Sequence, residues 1–396
     1  MAIGSGLRIM INLSDAPVID SHCHGFLPEE GLGSFEQYLN LTSKHIPKED
    51  LIHTFIYRMV LRELSRVLDF NGTHDEIIDE RNKLYECNPF DYTKLLFEDA
   101  KIEKMLVDTG YPSKEFSGYS INLRDFSEIV PCEVSQIFRI DNIVYGLIKD
   151  RLPFEAAIDQ FHSSVKEAVK SGAVSLKTVI AYTSGLEIKR QQEGRVREAY
   201  KFLVDEARSG KSLRDIFYNG SDRVKTVMDY IVILGVEDSI ELGVPIQFHA
   251  GLGNPSIINV RQENPLLLND LISDEKLGEA KIVLTHGGYP YVEEAGFIAS
   301  ANPNIFIDFS AISPFTSIGV KEKLLNLFEM SPTNKIMYGS DGHKIPELFW
   351  ISAKITKKAL SSALCELLKS NEIDEEWGME IARNILSENA RRIYNL

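Results

Sequence analysis

The feature that most restricts how this chain can fold is a recurrence of short Val- and Ile-rich runs along nearly its whole length. They are PVIDSHCH (17–24), MLVDTGY (105–111), QIFRI (136–140), AVSLKTVIAY (173–182), VPIQFHAG (244–251), KIVLTHGG (281–288), IFIDFS (305–310) and KIMYGSD (335–341). Each is near-continuously apolar rather than alternating, the pattern of parallel strands covered on both faces. Between them lie amphipathic stretches such as EAAIDQFHSSVKEAVKSG (155–172), with Gly172 as a helix stop, and EKLLNLFEM (322–330). Strands alternating with helices imply βα units, and eight such units predict an α/β fold closed into a (β/α)8 TIM barrel. An open doubly wound sheet is the competing arrangement, but no GxGxxG follows the first run to support it.

Two connections exceed a plain βα unit. Residues 28–100 and 186–240 carry helical patterns and are expected as insertions after strands 1 and 4, within one domain spanning 1–396. Both follow strand ends bearing polar residues, which places them as caps over the mouth of the barrel. The 43 Lys and Arg against 58 Asp and Glu give a formal charge of −15, which argues against nucleic acid or an anionic membrane as partner and for a small-molecule substrate. No run reaches the roughly 18 apolar residues of a membrane span. The stretch MAIGSGLRIMINLSDAP has neither a signal-peptide nor a transit pattern. Cys23, Cys87, Cys132 and Cys365 show no CxxC spacing and read as reduced thiols of a cytoplasmic protein.

The polar residues at the strand ends carry the chemistry. His22 and His24 close the first run two positions apart, so both imidazoles project to one side. Lys177 sits in the fourth run, and His249, His286 and Asp341 end the fifth, sixth and eighth. Each has a bland alternative: a lone strand-end His is usually a satisfied structural residue, and Asp341 in YGSDGH fits a turn. Their joint occurrence in barrel order points to a metal centre at the C-terminal mouth. Nitrogen and oxygen ligands at about 2.0–2.2 Å suit zinc first, and other first-row divalent metals next. An open position would take a water whose pKa falls toward roughly 7, giving a hydroxide nucleophile. Asp108 and Asp308 read as partners that orient imidazoles. His343 is expected near the mouth without ligation, and His45, His53, His74 and His162 as surface or packing residues. Arg139 and Arg261 are candidate carboxylate anchors through their two-pronged guanidinium groups, and Tyr182 a hydrogen-bonding neighbour.

The stretches DSHCH, SLKTVIAYTSGLE, IQFHAGLGN, IVLTHGGYPYVEEAG, MYGSDGHKIPE and ILSENARRIYNL resemble the amidohydrolase superfamily, in its amidohydrolase-related (family 2) branch. SLKTVIAYTSGLE and SENARRIY are similar to the amidohydrolase domain of fungal fluffy-type proteins, where it precedes a glutamine-synthetase-like domain not read here. The resemblance implies that His22, His24 and Asp341 hold one metal, with a carboxylated Lys177 bridging to a second held by His249 and His286. In mononuclear relatives His249 joins His22, His24 and Asp341, and His286 acts on substrate. It further implies hydrolysis of an amide-type C–N bond, with Asp341 shuttling the proton and His286 polarising the carbonyl. The fluffy-type likeness points to an acidic, γ-glutamyl-type compound, and a homodimer is the family-level expectation. The same branch contains metal-dependent decarboxylases of small organic acids, which is the alternative, and a non-catalytic binding module is a third reading.

Overall fold

The computed structural model describes residues 11–33 and 35–396; residues 1–10, which hold most of the N-terminal stretch read above for leader signals, lie outside them. The apolar runs form eight strands: β1 (Val18–His24), β2 (Ile102–Asp108), β3 (Glu133–Arg139), β4 (Ala173–Thr178), β5 (Ile246–Phe248), β6 (Ile282–Leu284), β7 (Ile305–Asp308) and β8 (Ile336–Met337). They lie parallel in the order β1 to β8. Backbone bonds join β1 to the segment after β8: Ser21 N–H donates to the Tyr338 carbonyl at 3.0 Å, Asp341 N–H to that of His22 at 2.9 Å, and His24 N–H to that of Gly342 at 2.8 Å. These bonds close the sheet into the barrel, and they tie Asp341 directly to the strand carrying the histidine pair.

Ile19, Leu106, Ile137, Val283, Phe306 and Met337, one from each of six strands, cluster with Ile393 and Tyr394 of the C-terminal helix. Burial of such side chains is worth about 1.5–3 kcal/mol each. The apolar faces of the surrounding helices bury a second, larger cluster against the strands' outer sides.

β5, β6 and β8 are shorter than the runs predict, so His249, His286 and Asp341 sit just beyond the strands rather than on them. Beyond β5 and β6 the backbone turns left-handed: Gly251, Gly287 and Gly288 have φ of 77°, 54° and 63°. Glycine takes that conformation without a Cβ penalty.

Residues 28–100 hold the helices Phe55–Val67, His74–Cys87 and Pro89–Ala100; residues 186–240 hold Glu193–Arg208, Leu213–Phe217 and most of Asp222–Leu242. Their starts are set locally. Thr73 and Glu76 form a capping box, and the Ser212 and Ser221 hydroxyls accept from Asp215 N–H and Val224 N–H. Among the described residues no helix is long and apolar enough to cross a membrane.

Candidate active site

The strand ends open into a cavity of about 350 Å³. Into it project His22 and His24 from β1, Lys177 from β4, and His249, His286 and Asp341 from the turns after β5, β6 and β8. The Asp341 Oδ1 lies 3.5 Å from His22 Nε2 and 3.3 Å from His24 Nε2. His286 Nε2 is 3.0 Å from His249 Nδ1, and its Nδ1 is 2.9 Å from the Ser310 hydroxyl. Ser310 N–H in turn donates to Asp308 at 2.9 Å. Lys177 is buried, and its Nζ donates to the Thr285 hydroxyl at 3.0 Å.

Two of these residues sit in a backbone conformation that side chains disfavour. His286 has φ 61° and Asp341 φ 56°. Left-handed non-glycine residues cost about 1–3 kcal/mol each and cluster where function requires a fixed side-chain position. Here the Asp341–His22 backbone bond holds one of them in place.

Burial above all, with neighbouring cationic groups adding to it, pushes the His22 and His249 imidazoles well below their usual range. Burial also lowers His286, to about 3, against the opposing pull of Asp341. All three are therefore neutral near pH 7, the form that ligates metals. For Asp341 burial pushes upward, but His286 and the His24 bond outweigh it, and the carboxyl stays ionised well below the ordinary range. Burial brings Lys177 down to about 8, partly opposed by Asp108.

The residues present fit a divalent metal. Donor atoms of His22, His286 and Asp341 lie within 4.8 Å of one another, as do those of His22, His24 and Asp108. His22 Nδ1 and His249 Nε2 are buried with no hydrogen-bond partner among the described residues. Leaving such an atom unpaired costs about 1–3 kcal/mol, a cost that a ligand would relieve. Gly253 keeps the approach open: a Cβ there would come within 2.9 Å of His249 Nε2 and would collide with the Tyr182 hydroxyl.

Arg139 and Tyr182 also line the cavity, the latter with its ring 4.5 Å from that of His249. Arg261 does not line it. That residue is exposed on the turn Val260–Gln262, because the loop after β5 is pinned by bonds from Gly251 N–H to Glu263 and from Leu186 N–H to Gln262. Asp108 departs from its expected role as well. Its Oδ2 accepts from Arg139 Nε at 3.1 Å and Nη2 at 2.5 Å, so it balances the guanidinium rather than orienting an imidazole through its carboxylate. Asp308 does reach His286, through Ser310. His343 lines the cavity, whereas His162 pairs with Asp238 outside it. Sequence reading missed Tyr111, Asn142, Tyr145, Arg214 and Tyr218, all in the cavity wall. Asn142 and Tyr145 stand on the helix Asp141–Lys149 and Arg214 on Leu213–Phe217, away from the strand ends that drew the sequence reading.

Residues 237–396 match the amidohydrolase family model. Protein fluG of Emericella nidulans is 29% identical over 254 residues, covering 61% of this chain and 28% of that protein; the chain thus spans little more than a quarter of its relative's length. Among solved structures, a Lactobacillus casei chain described as a metal-dependent hydrolase superposes with TM-score 0.81 at 23% identity, covering 98% of both chains. The uronate isomerase of Thermotoga maritima gives TM-score 0.66 at 15% identity, covering 100% of both. At those identities the superpositions speak for the fold alone. The C-terminal part of the chain is thus similar to the amidohydrolase family, and the whole chain shares its barrel fold with the superposed structures. In sequence it is similar to the fungal fluffy-type protein.

Proposed function

We propose that the cavity is the active site of a hydrolase cleaving an amide-type C–N bond in a small, carboxylate-bearing substrate. One observation carries this reading: His22, His24, Lys177, His249, His286 and Asp341 converge on one cavity, with imidazole nitrogens left unpartnered. His22, His24 and Asp341 would hold a divalent metal, zinc first, together with His249 or paired with a second ion at Lys177, His249 and His286. When bound, such an ion supplies Lewis acidity and an easily ionised water.

The chain's own groups do the rest. Asp341, ionised and close to both β1 histidines, takes the proton from the attacking water and passes it to the leaving amine. In the one-ion arrangement His286, whose Nδ1 bonds the Ser310 hydroxyl, would polarise the carbonyl, its Nε2 exchanging His249 Nδ1 for the developing oxyanion. Arg139, held by Asp108, and Tyr182 orient the substrate. The free cysteines fit a reducing cytoplasm as its place of action. Decarboxylation is the second reading, and it draws on the donor atoms of His22, His286 and Asp341 lying within 4.8 Å of one another, a set that suits one ion without Lys177.

The test is to assay metal-reconstituted protein for amine release from γ-glutamyl amides and, in parallel, for CO2 release from small acids. Metal-dependent amine release supports the proposal. CO2 release without amine release transfers the site to the second reading.

A further inference from the structure

The cavity wall has a second polar region, built by helices rather than strand ends. Lys114–Ser117, Asp141–Lys149 and Leu213–Phe217 meet through an aromatic cluster: ring centroids are 5.0 Å apart for Phe116–Tyr145, 4.6 Å for Tyr145–Phe217 and 5.8 Å for Phe116–Tyr218. Two guanidinium groups line the cavity. Arg139 is already balanced by Asp108. Arg214 is not: no carboxylate pairs with it among the described residues, and its nearest recorded partner is the Tyr218 ring, 6.0 Å away. Close by in the same cluster, the Tyr145 hydroxyl is buried, lines the cavity and has no hydrogen-bond partner among the described residues beyond a weak approach of the Tyr218 hydroxyl.

Arg214 is exposed on its short helix, and its guanidinium stands at the cavity wall without a carboxylate partner among the described residues. A buried hydroxyl without a partner carries a free-energy cost that a bound acceptor removes. Both call for the same thing, an anionic oxygen group with several lone pairs, and a guanidinium grips a carboxylate with two parallel bonds.

We propose that Arg214, assisted by the Tyr145 hydroxyl, binds a second, non-reacting carboxylate of the substrate. The substrate class is then the monoamides of α,ω-dicarboxylic acids: the amide meets the histidine–aspartate cluster, and the free acid meets the helical wall. Arg214 stands in the inserted segment 186–240, so that insertion sets the selectivity. A site built to pair a polar group rejects analogues that lack it, because its own groups are then left bare. The inference rests on this cavity being the substrate site, and it deepens that reading by naming the remote group.

The experiment measures binding rather than turnover. Succinate, glutarate and adipate are titrated calorimetrically into the metal-loaded protein, each against the monoacid of equal chain length. At the best-fitting length the diacid should bind roughly 10- to 100-fold tighter, the range of a charged hydrogen-bonded contact. In Arg214→Gln that preference should shrink to within about twofold. Arg214→Lys, which keeps the charge without the fork, should fall between, and it replaces the Gln variant should that fail to fold. Arg261→Gln, outside the cavity, should change nothing. Absence of any diacid preference, absence of binding by any acid at millimolar concentration, or a preference surviving in Arg214→Gln overturns the proposal. A chain that binds diacids through Arg214 yet releases no amine keeps this inference and loses the proposed reaction, so the two failures are distinguishable.

Discussion

The Arg81–Glu347 pair and the strand-end cluster are both polar and both buried, yet they are finished in opposite ways. Arg81, from the helix His74–Cys87, donates to Glu347 of the helix Pro346–Lys369 through Nε at 2.5 Å and Nη2 at 3.1 Å. Its Nη1 reaches the Gly31 carbonyl at 2.5 Å, the Tyr92 hydroxyl donates to Glu347 at 2.7 Å, and the Tyr85 ring centroid lies 4.6 Å from the guanidinium. The Arg81 fork and its carboxylate are answered from within the chain. The strand-end cluster instead keeps two imidazole nitrogens unanswered and holds two residues in left-handed backbone. A buried polar group that satisfies itself fastens an insertion to the barrel. One left open at a strained turn is arranged for something from outside.

The comparison breaks if the two clusters respond alike to mutation. Asp341→Asn should lower turnover by about 10²–10⁴-fold while the melting temperature of the metal-free variant stays near that of the metal-free wild type; turnover close to wild type would remove Asp341 from catalysis. Arg81→Met should do the reverse. Unpairing the buried Glu347 should cost about 3–5 kcal/mol in urea unfolding, with metal content of the folded fraction unchanged. A loss under 1 kcal/mol, or loss of metal, would show that the pair is not a separate anchor.

Removal of metal probes the open cluster more gently. Stripping with a chelator should lower stability by about 3–4 kcal/mol relative to protein in 100- to 1,000-fold excess of metal over its Kd, and re-addition should restore it. A melting curve indifferent to the chelator would contradict a resident ion.

Glu263 sharpens the contrast at smaller scale, since both its oxygens are buried and unpartnered among the described residues. Burial pushes its carboxyl up to about 9 from the ordinary 4.5. The folded state thus keeps a proton that the unfolded chain gives up, so the destabilisation is absent below pH 4.5 and grows as pH rises toward 9. Glu263→Gln should accordingly stabilise by about 1–3 kcal/mol near pH 7 and by little near pH 4. Equal effects at both pH values would show that the carboxyl ionises normally in the fold.

The barrel was legible because each strand is buried on both faces and so writes itself as an unbroken apolar run. His22, His24, Lys177, His249, His286 and Asp341 were legible because a polar side chain at the end of such a run has few bland explanations. What escaped depends on the path of the chain rather than on its periodicity. The early ends of β5 and β6, and the left-handed glycines that follow them, are features that an apolar run conceals. The choice between Arg261 and Arg214 turns on two loop hydrogen bonds and a short helix, none of which a charge in a polar segment announces. Tyr145 and Asn142 sit on an amphipathic helix whose pattern already accounts for them.

Anomalous diffraction from crystals of the metal-loaded protein tests the metal centre most directly. The expected result is a peak about 2.0–2.2 Å from imidazole nitrogens of both His22 and His24 and from a carboxylate oxygen of Asp341. A bound ion lying elsewhere, or one whose coordination shell excludes Asp341 or the histidine pair, would contradict it.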